Sequence, residues 1–467
     1  MPESRANLKP RALWASRLGF VLAAAGSAVG LGNIWKFPYI AGENGGGAFV
    51  LVYLLCITFV GLPIMMAELM LGRHTRKDAV GAFVALEPER RWWHTPGWIS
   101  VAAAFIISSY YSVVAGWTLD YIFRAVMGSF SGESASVIES MFGTLLADGG
   151  RQSFWHLIFM LLCLGVVVGG VQKGIERWSK ILMPILFVLL ALLFVNGMLS
   201  SGARQGLEFM FRPDFAKLTP GSILEALGHS FFTLSLGMAA MITYGSYLNR
   251  NENLFGASIR VAVLDTVIAL MAGLALFPIV FAFGLEPGAG PGLIFQTIPV
   301  VFSQITGGYV FSIMFFLLLS FAALTSNISL LEAQIAYFID ERGWSRKKAT
   351  LTIGALAFSV GIPTALSSNV MEGITFIGER NFFDSADLIA SNYLLPIAGL
   401  LIAVYVGWFW RGSEEKEELV SCGGWVYPVW HWLIRYVAPV AVTLVLYFKI
   451  DEAGLWDYFV HLFGGGA

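Results

Sequence analysis

Eleven apolar runs, each long enough to cross a lipid bilayer, constrain this chain more than any other feature of its sequence. About 20 apolar residues in a helix span the ~30 Å hydrocarbon core of a membrane. The runs lie near 17–39, 46–71, 98–127, 153–171, 179–199, 222–247, 256–285, 306–339, 347–366, 387–410 and 427–449. Only 13% of the residues are charged, too few to cover a soluble domain. The sequence therefore predicts an all-α membrane protein of about eleven transmembrane helices.

The loops between these runs predict an orientation. Alternate loops are rich in lysine and arginine, whereas the opposite loops are mixed or acidic. The basic loops contain Arg73, Arg76, Lys77, Arg90, Arg91, Lys173, Arg177, Lys180, Arg250, Arg260, Arg342, Arg346, Lys347 and Lys348. Because basic loops remain in the cytoplasm, we expect a cytoplasmic N-terminus and, with an odd number of spans, an external C-terminus.

Two of the runs do not read as continuous helices. The first carries Gly26, Gly30, Gly32 and Asn33 at mid-depth, and the sixth carries the polar and glycine-containing stretch 232–237. Glycines in a membrane helix also serve close packing against a neighbouring helix. Broken backbone at matching positions of the first and sixth runs favours the other interpretation, a binding site between two five-helix halves.

Ionisable residues within the runs are candidates for function, because burying charge in a membrane is costly. Glu68, Asp265 and Glu332 stand inside the second, seventh and eighth runs. We expect the Glu68 carboxylate to accept hydrogen bonds from unwound backbone N–H groups rather than to relay protons. Asp120 and Arg124, four residues apart, are expected to form a structural ion pair.

Oxygen-bearing side chains near the breaks are typical of a site for a small hard cation. They come from Asn33, Thr233, Asp265, Thr325 and Ser326. The hydroxyls of Thr325 and Ser326 have an alternative role, since such groups often bond to a carbonyl one turn earlier in the same helix. The three cysteines and six histidines form no ligand cluster, so we do not expect a transition metal.

Four segments of the chain closely resemble the neurotransmitter:sodium symporter family, in its bacterial amino-acid branch. They are WASRLGFVLAAAGSAVGLGNIWKFPYIAGENGGGAF in the first run, Tyr110-Tyr111 in the third, FFTLSLGMAAMITYGSYL in the sixth and AALTSNISLLEAQIAYFIDE in the eighth. The resemblance implies the LeuT-type fold, two inverted five-helix repeats plus one extra helix. The implied division is an N-terminal cytoplasmic segment at 1–16, a first repeat at 17–199, an extracellular loop at 200–221, a second repeat at 222–410, and the last helix with a short external tail at 411–467.

The resemblance also implies two sodium sites and a substrate pocket. One sodium site would use Gly26, Val29, Ala322, Thr325 and Ser326, and the other would use Ala28, Asn33, Thr233, Asp265 and the carboxylate of the substrate. The substrate carboxylate would meet the amides around Leu31 and Gly32 and the Tyr111 hydroxyl. The pocket would be completed by Ala28, Ile107, Phe232, Thr233, Ser235, Met238, Ser326 and Leu330. These mostly apolar walls favour a hydrophobic amino acid, aliphatic or aromatic. Whether Asn327 and Ser329 face the pocket stays open.

Gates on both sides follow from the same resemblance. The outer gate would comprise Tyr111, Phe232 and an ion pair between Lys36 and Asp387. The inner gate would comprise Arg11 and Asp340, supported by Trp14, Ser246 and Tyr247, with Glu332 nearby. Lysine lacks the planar fork of arginine, so the outer pair should be loose.

We expect chloride not to be required, because the Asp265 carboxylate would supply the negative charge of the sodium site. Many animal relatives have an asparagine here and bind chloride beside the sodium site, whereas some bacterial relatives have an asparagine and a glutamate one turn later, where this chain has Ala269. Tyr53 and His229 occupy positions of chloride ligands in relatives, and His229 could hydrogen-bond Asp265 or titrate during the cycle.

The function predicted is sodium-coupled import of an amino acid across a bacterial-type inner membrane, with neither an organic cofactor nor nucleic acid involved. A channel and a membrane enzyme are the alternatives. No filter-like repeat supports the first, and no Ser/His/Asp triad, HExxH motif or phosphate-cradling loop supports the second. The exact amino acid, the ion stoichiometry, proton counter-transport and the oligomeric state stay open.

Overall fold

The computed structural model describes residues 12–284, 292–410 and 412–452, and this part of the chain is almost entirely helical. Within these ranges, nine helices are long and apolar enough to cross a membrane. They are Gly47–Thr75, Arg91–Val126, Gly149–Val167, Val171–Met198, Leu254–Ala282, Gly308–Arg342, Arg346–Leu366, Phe382–Phe409 and Val426–Phe448. A tenth span is the bent pair Arg17–Ala28 and Gly32–Glu43. In the order of the predicted runs, the nine helices are called the second to fifth and the seventh to eleventh spans. The bent pair is called the first span.

The first span is broken where the glycines predict a break. Its inner half begins at Ser16, whose hydroxyl accepts a hydrogen bond from the Gly19 amide at 3.0 Å. The half-helix ends at Ala28, Val29 is extended, and the chain resumes at Gly32 with a bend of 50°. The carbonyls before the bend therefore lack their usual helical partners.

The sixth span consists of two short helices, Pro220–Thr233 and Ala240–Ser246, separated by a non-helical stretch. Ser235, Gly237 and Ala239 all have positive φ, at 55°, 72° and 62°. Gly237 is required there, because a Cβ would lie 2.4 Å from the Leu395 carbonyl oxygen. Its amide donates to the Glu68 carboxylate at 2.7 Å, a hydrogen bond of the kind predicted for Glu68.

Two glycines join the inner half of the sixth span tightly to the second. A Cβ on Gly72 would lie 1.8 Å from the Ile242 carbonyl oxygen, and a Cβ on Gly245 would lie 2.5 Å from that of Leu69. No other residue type allows backbones to approach this closely. The two helices are thus packed backbone to backbone.

The remaining spans surround this broken pair. The long third span packs against the fourth, eighth and ninth, and the eighth also contacts the first half-helix. Near its outer end the predicted ion pair is present, with Arg124 Nε 2.6 Å from Asp120. Arg151 and Trp155 of the fourth span also donate to Asp120, at 2.5 and 2.8 Å, which the sequence did not predict. The region 200–221 contains a helix, Ala203–Phe211.

Candidate functional site between the two helix breaks

A cluster of neutral oxygens lies where the first span unwinds beside the eighth. The Ser326 hydroxyl is 3.3 Å from the Gly26 carbonyl oxygen, 3.1 Å from that of Ser27 and 3.3 Å from that of Val29. A single hydroxyl proton can satisfy only one of these carbonyls at a time. The others keep lone pairs directed at the same small volume.

Thr325 extends this neutral cluster. Its hydroxyl bonds back to Phe321 and Ala322 carbonyls at 3.1 and 3.0 Å, the alternative role considered for it. A Cβ on Gly26 would lie 3.2 Å from Thr325 Cβ, so the helix break and Thr325 are in contact. The structure therefore brings Gly26, Val29, Ala322, Thr325 and Ser326 together, and their neutral oxygens fit a small hard cation.

A second cluster surrounds the fully buried carboxylate of Asp265. Asn33 Nδ2 donates to Asp265 Oδ1 at 2.7 Å, and the Thr233 hydroxyl donates to the same oxygen at 2.9 Å. The Tyr53 hydroxyl lies 3.4 Å from Asp265 Oδ2. Within the described ranges no Lys, Arg or His nitrogen comes within 4 Å of this carboxylate. A cation would therefore meet a full negative charge here.

The suggested bond from His229 to Asp265 is wrong. Both ring nitrogens of His229 are buried and lack hydrogen-bond partners among the described residues. The ring stacks on Phe37 at 6.0 Å and lies tilted against Tyr53 at 5.4 Å. Spacing of four residues from Thr233 places His229 on the same helix face, but its ring packs against Phe37 and Tyr53 and makes no hydrogen bond to the carboxylate.

The predicted carboxylate-binding residues meet at the first break. The Leu31 amide donates to the Tyr111 hydroxyl at 3.0 Å. A Cβ on Gly30 would lie 2.5 Å from Ser326 Oγ and 2.8 Å from Tyr111 Oη, so only glycine fits between them. The Phe232 ring covers Gly32, with 3.2 Å separating its edge from the position of a Cβ.

Three serine hydroxyls link the two breaks to the eighth span. Ser27 Oγ lies 2.7 Å from Ser329 Oγ and 3.1 Å from Ser235 Oγ, and Ser235 donates to the Ser27 carbonyl at 2.9 Å. Ser329 thus faces the breaks, whereas Asn327 donates to Cys163 at 3.4 Å on another side. Ser27 was not predicted, although its position between two glycines of the break could have suggested it. The apolar residues Ile107, Met238 and Leu330 are buried in the core, as is Ala28 at the end of the first half-helix.

On the side away from residues 12–16 the site opens into a cavity of about 220 Å³. Leu31, Gly32, Tyr111 and Phe232 form part of its wall, together with Trp35, Lys36, Tyr39, Tyr110, Val114, Phe383, Asp384 and Asp387. Lys36 and Asp387 do not form the predicted ion pair in this structure. Lys36 Nζ lies 5.3 Å from the Phe232 ring centroid, while Asp387 accepts hydrogen bonds from Tyr110 at 2.8 Å and Ser391 at 2.7 Å. Both side chains line the cavity.

The side of the site next to residues 12–16 is closed by packed aromatic and charged groups. The Trp14 ring nitrogen donates to the Tyr244 carbonyl and its amide to the Tyr247 carbonyl, both at 3.0 Å. The Tyr247 hydroxyl donates to Glu332 at 2.7 Å. Arg346 donates to the same carboxylate through Nη1 at 2.6 Å and through Nη2 at 2.9 Å. The sequence predicted Trp14, Tyr247 and Glu332 on this side but treated Arg346 only as a loop charge.

The predicted pair of Arg11 and Asp340 cannot be described, because Arg11 lies outside the described residues. Asp340 accepts a hydrogen bond from the Asp78 amide at 3.1 Å. Asp78 in turn caps the helix Ala79–Leu86 through the amides of Val80 and Gly81, at 2.9 and 3.1 Å. Asp340 is therefore part of the junction between the second and eighth spans.

Comparison with known proteins decides the family. The model of the sodium:neurotransmitter symporter family matches residues 11–141 and 138–463. The chain belongs to this family. An uncharacterised sodium-dependent transporter of Bacillus subtilis, YhdH, is 42% identical over 435 residues, covering 92% of this chain and 96% of its own. An uncharacterised sodium-dependent transporter of Haemophilus influenzae is 34% identical, covering 94% and 98%.

A solved structure supports the same assignment for this symporter. The crystal structure of MhsT in complex with L-phenylalanine superposes with a TM-score of 0.88 at 46% sequence identity, covering 94% of this chain and 99% of the other. The LeuT-type fold is thereby confirmed. The protein is a sodium-dependent symporter of the neurotransmitter:sodium symporter family, a multi-pass membrane protein and not an enzyme.

Proposed function

We propose that this symporter imports a hydrophobic amino acid, aliphatic or aromatic, by alternating access coupled to sodium. The observation that carries the proposal is the convergence of the two helix breaks on the eighth span, where three unwound carbonyls surround Ser326 Oγ within 3.3 Å. Such backbone oxygens at membrane depth are tolerated where they line a binding site. A site enclosed by two broken helices suits a carrier that exposes it alternately to each side.

The walls around this site indicate the substrate class. Ile107, Phe232, Met238 and Leu330 offer apolar surface, and methionine adapts to side chains of different shape. The relative MhsT, 46% identical, has been crystallised with L-phenylalanine. A bulky apolar side chain on the substrate is consistent with both observations.

Coupling between substrate and sodium would follow from a shared carboxylate. The amides around Leu31 and Gly32, with the Tyr111 hydroxyl that accepts from the Leu31 amide, would form an anion-binding end of the outer half-helix. A substrate carboxylate bound there would lie next to Asn33, which contacts Asp265 and belongs to the second proposed sodium site. Sodium and substrate would each complete the other's site. With Gly26, Val29, Ala322, Thr325 and Ser326 as the other ligand set, two sodium ions would accompany each substrate.

Chloride independence would follow from Asp265. Its carboxylate already places one negative charge within reach of Asn33 and Thr233, so an added anion is not needed to balance a bound cation. The Tyr53 hydroxyl lies 3.4 Å from Asp265 Oδ2, which supports a role beside this carboxylate.

Orientation and gating complete the proposal. We infer a bacterial inner-membrane location with a cytoplasmic N-terminus, so that the packed Trp14 side faces the cytoplasm and the cavity faces outward. Closure of Phe232 and Tyr111, with approach of Lys36 to Asp387, would occlude the substrate. Separation of Arg11 from Asp340 and of Trp14 from Tyr247 would then open the inner side.

Uptake into proteoliposomes tests the proposal. Radiolabelled phenylalanine and leucine should accumulate when sodium chloride or sodium gluconate is outside, and neither should accumulate with potassium or choline salts. Glutamate and lysine serve as controls for the apolar pocket. Accumulation without a sodium gradient would contradict sodium coupling, loss of uptake in gluconate would contradict chloride independence, and uptake of the charged amino acids alone would contradict the substrate class.

A further inference from the structure

The first half-helix lies along the start of the fifth span, and two of its glycines allow this close approach. A Cβ on Gly19 would overlap Glu176 Oε1, and a Cβ on Gly26 would lie 3.2 Å from Met183 Sδ. The two contacts are seven residues apart on both helices, which is about two helical turns. The half-helix is therefore packed side by side with the fifth span from its first turn to the break.

Glu176 is a buried carboxylate that meets the N-terminal end of this half-helix. The Ala15 amide donates to its Oε2 at 2.7 Å, and the Ser16 hydroxyl donates to its Oε1 at 3.0 Å. Ser16 in turn accepts from the Gly19 amide, so Glu176 orients the residue that caps the helix. A carboxylate in this position also stabilises the positive end of the helix dipole.

The same segment of chain is held from another side by the sixth span. Trp14 donates to the Tyr244 carbonyl through its ring nitrogen and to the Tyr247 carbonyl through its amide. Gln172 of the fifth span adds a hydrogen bond to the Leu13 carbonyl at 2.7 Å. The first half-helix can therefore leave its place only when its contacts to both spans break.

The far end of the half-helix carries carbonyls of the neutral cluster. Gly26 lies in the half-helix and Val29 follows its end, and each carbonyl oxygen is 3.3 Å from Ser326 Oγ. If the half-helix moved away from Glu176, these carbonyls would leave Ser326, and the proposed sodium site would lose ligands. We therefore expect the contacts of Glu176 and the binding of sodium to support each other.

We propose that Glu176 is a positioning residue of the transport cycle. It keeps the first half-helix in place while sodium is bound and releases it when the side next to residues 12–16 opens, an inference that rests on the proposed function. Lys180 Nζ lies 2.6 Å from Glu176, and its side chain is 38% exposed, so the carboxylate keeps a partner after the half-helix has left. Release then costs the hydrogen bonds from Ala15 and Ser16 and leaves no isolated buried charge.

Hydrogen–deuterium exchange of the full-length protein in nanodiscs, followed by mass spectrometry, tests this role. Glu176→Gln should raise the exchange rate of residues 17–28 in potassium by about tenfold, the scale of one hydrogen bond to a charged group. The helix Gly149–Val167 of the fourth span should be unaffected. Sodium should slow the exchange of residues 17–28 in the parent and in the variant, because it binds the arrangement in which the half-helix is in place.

Two further variants separate the role of Glu176 from a general effect of lost charge. Glu208→Gln is the matched control, because Glu208 also pairs with a basic residue four positions away, Arg204 at 2.9 Å, but is half exposed and far from the first span in sequence. It should leave the exchange of residues 17–28 unchanged. Ser16→Ala keeps the carboxylate and removes one of its donors, so it should raise exchange less and add little to Glu176→Gln. Ser16→Ala also provides the test if Glu176→Gln does not fold.

Equal exchange of residues 17–28 in the parent and in Glu176→Gln would overturn the proposal. A rise of the same size in the fourth span would also overturn it, because it would indicate a general loss of stability, and so would full additivity of the Ser16 and Glu176 substitutions. Phenylalanine uptake by the parent from the same purification, measured in liposomes, decides the proposed function separately. A sodium-sensitive rise limited to residues 17–28, with no uptake by the parent, would support the role of Glu176 and contradict only the substrate class.

Discussion

The two oxygen clusters at the helix breaks differ in one respect, the presence of a charge. The cluster around Ser326 consists of carbonyl and hydroxyl oxygens only, whereas the cluster around Asp265 contains a buried carboxylate with hydrogen bonds to both of its oxygens. Both adjoin the same unwound stretch of the first span, near Val29 and Asn33. The two neighbouring clusters would therefore attract a cation differently, the first through the dipoles of neutral oxygens and the second through a full negative charge.

This difference predicts how each site fails. A neutral site binds a cation by the number and placement of its oxygens, so removing hydroxyls removes ligands directly. A charged site keeps its geometry when the carboxylate becomes an amide but loses the balancing charge, which another anion can restore. The predictions below use this contrast.

The largest effect is expected from removing both hydroxyls of the neutral cluster. The double substitution Thr325→Val and Ser326→Ala should abolish uptake, because two lost oxygen ligands weaken sodium binding by about 100-fold. Sodium-dependent uptake in proteoliposomes measures this loss. Ser312→Ala is the control, since Ser312 lies on the same helix and only bonds back to Tyr309 at 2.8 Å. Transport at the parental rate in the double variant would remove the eighth span from the ion site.

Asp265→Asn should cause the next largest loss of uptake, and the remaining uptake should depend on chloride. The amide keeps an oxygen but not the charge, so uptake in sodium gluconate should fall by about tenfold or more, the scale of a lost charge-assisted contact. Sodium chloride should restore part of the activity. The parent, measured in the same two salts, should show no difference. A variant with full activity in gluconate would show that the carboxylate has only a structural role.

Tyr53→Phe should have a smaller effect on the same cluster. The hydroxyl lies 3.4 Å from Asp265 Oδ2, a long hydrogen bond, while Asn33 and Thr233 remain in place. The sodium concentration for half-maximal uptake should rise only a few-fold, as expected for ~1 kcal/mol or less. A loss as large as that of Asp265→Asn would mean that Tyr53 is an essential partner of the carboxylate.

Asp78 provides a contrasting carboxylate outside the membrane spans, with little expected effect on uptake. Its Oδ2 is buried without a hydrogen-bond partner, and burial, followed by repulsion from Asp340, raises the pKa of Asp78 to about 6. Because the pKa is raised in the folded state, the ionised carboxylate destabilises the fold. This cost is absent below the ordinary pKa of aspartate and is complete once the pH has risen through about 6.

Asp78→Asn should therefore raise the melting temperature at pH 8 and have little effect near pH 4. Asparagine caps a helix as well as aspartate does, and the gain is at most ~3 kcal/mol. Asp214→Asn is a control, because Asp214 caps a short exposed turn through the Ala216 amide. The same gain at both pH values would contradict the proposed cause.

The sequence predicted the features that follow from the cost of leaving backbone or charged groups without partners inside a membrane. Glycines and polar residues in the middle of a membrane span indicate a break in the helix, so the interruptions near Gly30 and Ser235 could be located without a structure. Asp120 and Arg124 were paired correctly because helical spacing alone brings them together. The hydrogen bond from backbone to Glu68 could be predicted because broken backbone beside a buried carboxylate offers free N–H groups as donors.

The features that depend on packing direction or conformational state could not be predicted. Arg346 counts as a loop charge in the sequence, yet it begins the ninth span and reaches back to Glu332. His229 has the spacing to meet Asp265, but its ring stacks on Phe37. Lys36 and Asp387 both line the cavity without forming an ion pair, and the sequence alone does not say which arrangement of the gate a structure has.

The glycines that join the second and sixth spans have a consequence for the membrane around the protein. Because Gly72 and Gly245 leave no space between the two backbones, the inner half of the sixth span can swing only together with the second. The second span exposes Leu51, Leu55 and Phe59 on its surface, toward the acyl chains. Under the proposed alternating access, each turnover that tilts this pair would displace lipid, so the rate of transport should depend on the viscosity of the bilayer.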